Sequence, residues 1–363
     1  PMRPLVAARH FHEKGTLRAF ARQWISQEAK SIHPLGMADK EDGIAFYVLG
    51  SQTPHLEVQN CRGAKPIAFV TNANPEPLIH AAREVAIFDE VLADQETLGD
   101  DWVARRELVE RRTEACLEVD RIAEELYGAT SESRGNWAFL PALDDLRLQS
   151  LRELTASQAM SKIADCWYSE APTIRNDLIN RHQLSSQLAK ARRLLLEAMI
   201  SEPDKEALGI RGSGPDKTLY RTVLEEAGLH RKTKDGWSFK PPKSDSPVYK
   251  AWQRLVELLH GTTEERLGVD ELYADLASPP FGVRGGVAPV FLTAALIIER
   301  DVLALYENGT FVPRLTRDLV ERLLKNPQNF HVKHFASRTG PRSRLLTLVA
   351  EKLQIPVSQP KQR

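Results

Sequence analysis

Cysteine is scarce in this chain: its three copies, Cys61, Cys116 and Cys166, stand far apart, with no Cys-x-x-Cys pair and no histidine set at zinc spacing. That excludes a disulfide-stapled fold and a zinc-finger scaffold, and free thiols in a reducing cytosol are the economical reading. Long apolar runs are absent too. The most hydrophobic stretch, Val287 to Ile298, is roughly twelve residues against the ~20 needed to cross a bilayer, so a buried helix is expected there and no membrane partner. Neither charge is in surplus. With 49 Lys and Arg against 49 Asp and Glu, no global field draws the molecule onto nucleic acid or an anionic surface, and such binding falls to a local patch. The first residues do not read as a charged-then-apolar leader, and a cytoplasmic location is expected. The opening Pro1-Met2 reads as a residue left by tag cleavage, so the sequence is expected to be one piece of a longer protein.

What is present is the composition of folded globular proteins, 42% hydrophobic and 27% charged. At 363 residues the chain exceeds what one core serves, and two or three packed units are expected. Apolar residues Leu17, Phe20, Ala21 and Trp24 fall at helical spacing. Ile44 to Leu49 and Pro66 to Thr71 read as strands, and Pro75 to Leu92 as an amphipathic helix. Asp101 to Leu126 is a long helix whose charges read as a solvated face laced by i,i+4 pairs. The polar stretch from Tyr127 to Gly135 reads as a boundary. Further helices are expected at Ala142 to Asp165, Thr173 to Asn180 and Ser185 to Ile200, the last with Ser185 as N-cap. Between Leu208 and Pro242 a helix is followed by a short strand around Trp237 to Phe239.

The firmest local signal is Glu307-Asn308-Gly309 between Val302 to Tyr306 and Thr310 to Pro313. Asn-Gly between apolar runs marks a β-hairpin because both residues tolerate positive φ. Helices before and after it, Asp270 to Leu276 and from Val287 and Thr316, resemble the winged-helix family over roughly 270 to 335. Such modules place a helix in a major groove while the hairpin touches backbone, which requires outward basic side chains. Arg314, Arg317, Arg322, Lys325, Lys333, Arg338, Arg342 and Arg344 supply that positive excess over Asp318 and Glu321, and make duplex DNA a candidate partner.

Candidate chemistry is thin. Gly209 to Thr218 invites comparison with a phosphate loop through Lys217-Thr218, but Asp216 stands where a glycine should precede the lysine. Turn and helix caps are the plainer reading. Arg284, Gly285 and Gly286 precede the apolar helix and could present amides and a guanidinium to an anion; such glycines more often permit close packing. The close histidine pairs, His10 with His12 and His331 with His334, lack a Cys or Glu-x-x-His context and read as surface or strand-edge residues, so no metal site is expected. No Gly-x-Ser-x-Gly elbow exists, and the residues point to no catalytic group and no cofactor.

Ala171 to His182, Ser185-Ser186, Ala191 to Leu194, Leu219-Tyr220, Gly228 to His230 and Pro279 to Gly286 together resemble the region downstream of the ATPase core in large prokaryotic P-loop proteins of phage defence, the PglY- and BrxC-like proteins of BREX systems. The resemblance runs over about 100 to 335. It implies a multidomain ATPase whose motor is not in this chain, and a coupling, sensing or scaffolding role among the protein subunits of a defence complex.

The expected fold is α+β and mainly α. An α/β layer with a long charged helix spans 1–135, a helical domain with a short wing-like strand spans 136–265, and a winged-helix-like domain with a basic tail spans 266–363. The expected function is a non-catalytic interaction module binding DNA or protein. The alternatives are a nucleotide-binding hydrolase or effector enzyme, and a purely structural linker between ATPase and effector subunits.

Overall fold

The computed structural model describes residues 4–29, 41–50, 52, 65–72, 74–99, 101–127, 136–140, 154–181, 183–335 and 352. Contacts group the chain into two compact units, against three regions expected from the sequence: residues 1–183 with 278–284, and residues 184–277 with 285–363. The fold is α+β and mainly α.

In the first unit, β1 (Leu5–Val6), β2 (Ala19–Ser26), β3 (Gly43–Leu49), β4 (Ile67–Thr71) and β5 (Asn136–Leu140) form one sheet in that order. β2, β3 and β4 run parallel, and β1 and β5 close the two edges antiparallel. Around the sheet come α1 (Ala8–Lys14), α2 (Glu76–Ala93), the single turn α3 (Gln95–Leu98), α4 (Trp102–Tyr127) and α5 (Ala156–Trp167). One sheet face, with Phe20, Ala45, Tyr47 and Val70, packs on Met160, Ile163 and Trp167 of α5 and Tyr127 of α4. Ile44, Phe46, Val48 and Phe69 are buried on the other face. Burial of both faces is why β3 reads as an unbroken apolar run rather than an alternating one.

The helical spacing from Leu17 to Trp24 does not yield a helix. Leu17 precedes the strand, and Phe20, Ala21 and Trp24 lie in β2, which pairs in parallel with the whole of β3 from Phe20 opposite Gly43 to Ser26 opposite Leu49. A helix there would leave the backbone groups along a buried strand without partners, and that cost overrides local spacing. The expected helix Thr173 to Asn180 is also absent, and turns replace it. The Asn180 amide donates to the Gly15 carbonyl, the Thr16 hydroxyl and the Ile174 carbonyl, offering the backbone an alternative to helix. The first part of the helix expected at Ala142 to Asp165, residues 142–153, lies outside the described residues, as does the boundary expected near 135. The charge run on α4 forms exposed pairs such as Arg106 with Glu110 and Arg111 with Glu107, both at 3.0 Å.

The second unit contains two helix, helix and hairpin sets in succession. The first comprises α6 (Ser186–Ser201), α7 (Pro215–Leu219) continuing into a π-helical turn over Tyr220–Glu225, and strands β6 (His230–Thr233) and β7 (Gly236–Phe239). The second comprises α8 (Tyr249–His260), β8 (Leu267–Gly268), α9 (Val269–Ala277), α10 (Ala288–Ile298), β9 (Leu303–Glu307), β10 (Thr310–Val312), α11 (Arg317–Lys325) and β11 (Phe330–His334). Its antiparallel sheet runs β10-β9-β11-β8, so the strand after α11 inserts between the hairpin and β8 of a winged arrangement. Ser185 and Thr316 cap α6 and α11, accepting from the N–H groups of Leu188 and Leu319. α8 packs on α9, α10 and β11, which explains why 184–277 and 285–335 share a core. α10 is apolar on all sides because it is buried on all sides, from Ala288 through Leu296. Among the described residues no helix is long and apolar enough to cross a membrane.

Candidate functional site

The hairpin β9–β10 turns at Asn308 and Gly309 with φ of +47° and +81°, the left-handed conformations that this residue pair accepts at low cost. The wing is stiffened from outside. The Arg266 guanidinium lies 3.7 Å from the Tyr306 ring centroid and donates to the Gly309 carbonyl at 3.2 Å. Tyr306 meets Phe311 edge to face at 5.9 Å, and Phe311 remains 54% exposed on β10, the outer strand of the sheet.

The basic residues expected to meet phosphate are only partly available. Arg322 gives Glu307 a bidentate pair at 2.6 and 2.9 Å, which holds the Glu307 carboxyl below its usual range. Lys325 does the same to Glu321 at 2.8 Å. Lys333 donates to the Glu264 carbonyl at 3.0 Å, and Arg317 to the Ser201 hydroxyl at 3.4 Å. Arg338, Arg342 and Arg344 lie outside the described residues. The helix before the hairpin, α10, turns no face outward, so it is α11 that presents charge to solvent, with Asp318 and Glu321 interspersed among its cations.

Beside the wing lies a groove of about 400 Å³, floored by Met199, Ile200 and Pro203 from the end of α6, Leu296 and Ile297 of α10, and Leu303 and Leu305 of β9. Phe311, Val312 and Pro313 form one wall, with Arg300 and Arg314 among the lining residues. Both arginines are exposed, and among the described residues no carboxylate forms an ion pair with either and no acidic residue lines the groove. The combination is an apolar trough whose described lining carries positive charge alone.

The two glycine-bearing turns do different things from holding an anion. Lys217 donates to the Ile210 carbonyl at 3.2 Å and leans towards the Tyr220 ring, while the N–H groups of Lys217 and Thr218 are both directed at the Gly214 carbonyl inside the helix start. The Thr218 hydroxyl bonds the same carbonyl at 3.4 Å. Arg284, expected as an anion marker, is buried in the first unit with its guanidinium on Asp42, at 2.6 and 2.9 Å. Gly285 is exposed and its carbonyl accepts from Arg192 at 2.9 Å, while Gly286 is buried. An arginine already neutralised inside the protein cannot serve a solvent anion, which corrects the assignment.

Asp42 stands in a line of buried polar groups. Arg18 donates to Asp42 at 3.0 Å, lies 3.5 Å from the Tyr168 ring centroid and donates through Nε to Nε2 of His10 at 3.2 Å. His10 must therefore carry its proton on Nδ1, which donates to Asp165 at 2.8 Å. Burial pushes the Arg18 guanidinium down to about 10 and Tyr168 up to about 12, and also lowers His10. His10 was expected at the surface; it is fully buried, because Arg18 and Asp165 give both ring nitrogens partners. Each end of this line is met by another protein group, Asp165 by Arg9 and Asp42 by Arg284, and the line ties α1, the approach to β2 and α5 together.

Sequence reading misses Arg300, Phe311 and the α6 end of the groove, since 199, 203, 296, 303 and 311 share no local motif. The one signal available was the apolar Phe311 in a wing strand otherwise marked only by its turn. Compared with known proteins, the chain matches no family model, no curated protein and no solved structure.

Proposed function

We propose that the second unit is a non-catalytic interaction module which docks a protein segment in the groove beside its C-terminal wing. The observation that carries this is the pairing of an apolar trough with two arginines, Arg300 and Arg314, that no described carboxylate neutralises. Such a surface complements an amphipathic segment with large apolar anchors flanked by Asp or Glu, the anchors supplying affinity and the charges register and encounter rate. On this reading the module works within a cytoplasmic, multidomain ATPase assembly of the phage-defence kind that its sequence pattern resembles, and the docked segment belongs to another subunit.

Duplex DNA is the second reading, and it draws on Arg314, Arg317 and the outward face of α11. It has less support, because Arg322 and Lys325 already spend their charge on Glu307 and Glu321.

The test uses the full chain and two labelled probes, an acidic amphipathic peptide library and a duplex DNA. Micromolar binding of acidic peptides, weakened at least ~10-fold by Phe311→Asp and by Arg314→Glu, supports the docking groove. Duplex binding that falls steeply with salt and is lost in Arg317→Glu with Lys325→Glu replaces it with the DNA reading. Peptide binding that ignores both groove variants removes the proposal.

A further inference from the structure

Three segments of the second unit end at one point. His260 closes α8, Glu299 caps the C-terminal end of α10, and His334 is the last residue of β11. One ring nitrogen of each histidine and one carboxylate oxygen of Glu299 lie within 4.8 Å of one another. Nε2 of His260 is 2.6 Å from Oε2 of Glu299, and the two imidazole centroids are 4.5 Å apart. Nδ1 of His334 is buried with no hydrogen-bond partner among the described residues.

The backbones carrying these side chains are pinned independently of them. In the turn after α8, the Thr262 hydroxyl donates to the Leu259 carbonyl at 2.6 Å and accepts from the His334 N–H at 2.8 Å. The Phe335 N–H donates to the Val302 carbonyl at 2.8 Å, and the Val302 and Leu303 N–H groups return to the Glu299 carbonyl at 2.9 Å. The end of α8, the end of α10 and the end of β11 are thus held in place before any side chain turns. The His260 side chain, 45% exposed, has room to rotate, while Glu299 is 18% exposed.

We propose that His260, Glu299 and His334 form a binding site for a divalent transition metal of the zinc class. Two imidazoles and a carboxylate are the donor set such ions take, whereas calcium and magnesium favour oxygen donors throughout. Metal bonds of about 2.0–2.2 Å bring ligand atoms to roughly 3.3 Å from one another, so a modest rotation of His260 completes the set. The ion takes the place of the hydrogen now shared between His260 and Glu299, and a ring nitrogen of His334 joins it as the third donor. A fourth position stays open for water or for a partner's side chain. Bound metal staples α8, α10 and β11, and the winged unit gains the binding free energy as folding stability. The site revises the reading of His334 as a plain strand-edge histidine, and it is independent of the docking groove.

The experiment titrates zinc chloride into the full chain after EDTA treatment, by calorimetry, and records the visible spectrum of the cobalt-substituted protein. One zinc per chain is expected at micromolar or tighter affinity, with cobalt bands of four- or five-coordinate nitrogen and oxygen ligation and a higher Tm with zinc. Glu299→Gln and His334→Ala should each weaken binding by at least ~10-fold and abolish the cobalt bands, while His331→Ala changes neither. Should His334→Ala fail to fold, His260→Gln at the exposed ligand replaces it. Absence of zinc binding overturns the proposal, and so does binding retained in Glu299→Gln and His260→Gln, which would place the ion on Cys116, Cys166 or other histidines.

Discussion

Arg284 grips Asp42 through two parallel hydrogen bonds, Nη1 to Oδ1 at 2.6 Å and Nη2 to Oδ2 at 2.9 Å, with the two side chains only 2% and 3% exposed. Arg18 adds a third bond to the same carboxylate. Two buried guanidiniums repel each other, and the Asp42 charge between them offsets that repulsion and their lost hydration. Replacing Asp42 with Asn keeps the shape and removes the charge. The expected loss is about 3–5 kcal/mol, read from urea unfolding followed by tryptophan fluorescence. Arg284→Lys should also destabilise, because a lysine cannot reproduce the fork. A loss below ~1 kcal/mol for Asp42→Asn would mean that the cluster is not what holds this part of the fold.

Gly15 ends α1 in the left-handed region at φ +71°, and a Cβ there would sit 2.2 Å from the Ile174 carbonyl oxygen. Gly15→Ala therefore meets both a backbone penalty and a collision with main chain that cannot swing aside, and should cost more than about 2 kcal/mol. Gly212 is the internal control. Its φ is +82° and a Cβ there would meet no described atom within 4 Å, so Gly212→Ala should cost only the backbone part, about 1–2 kcal/mol. Equal Tm shifts for the two variants would contradict the close approach at Ile174.

His230 is buried in the second unit with its Nε2 3.0 Å from the Pro203 carbonyl and its Nδ1 3.0 Å from the Tyr220 hydroxyl. The carbonyl can only accept, so Nε2 carries a proton, and in the neutral ring the hydroxyl donates to Nδ1. Burial lowers its pKa below the ordinary value of roughly 6.5. The unfolded chain therefore takes up the proton first as pH falls. Stability from the neutral ring is complete above ~6.5 and is lost as pH drops through the depressed folded value. Unfolding free energy of the wild type should fall from pH 7 towards pH 5, whereas His230→Asn, less stable at pH 7, should show a slope shallower by up to one proton. His10, lowered in the same sense, leaves a residual slope in that variant. Parallel pH profiles for wild type and variant would sink the assignment.

Several elements were legible because their causes are local. Asn308-Gly309 could be placed as a hairpin turn since the left-handed φ of both residues is a property of the dipeptide. Ser185 and Thr316 could be placed at helix starts since capping needs only a hydroxyl and the N–H three residues on. β3 and β4 were visible as apolar runs, and α10 as a helix without a polar face. β2 was not, because Leu17, Phe20, Ala21 and Trp24 satisfy a helical period and only the ladder with β3 selects the strand.

The candidate sites divide the same way. The basic residues after the wing could be counted in the sequence, but their neutralisation could not, since Glu307 is fifteen residues from the Arg322 that takes its charge. Arg284 looked like a loop cation beside two glycines and became the partner of a carboxylate 242 positions away.

The sequence by itself determined the class of fold, the turn of the wing, the helix caps and the want of any local catalytic motif, all consequences of residue types acting on near neighbours. Only the tertiary structure decided which charges are spent, which apolar residues line a groove, and that His260, Glu299 and His334 meet. Those outcomes depend on packing between segments distant along the chain, and a linear pattern holds no record of the distances that packing creates.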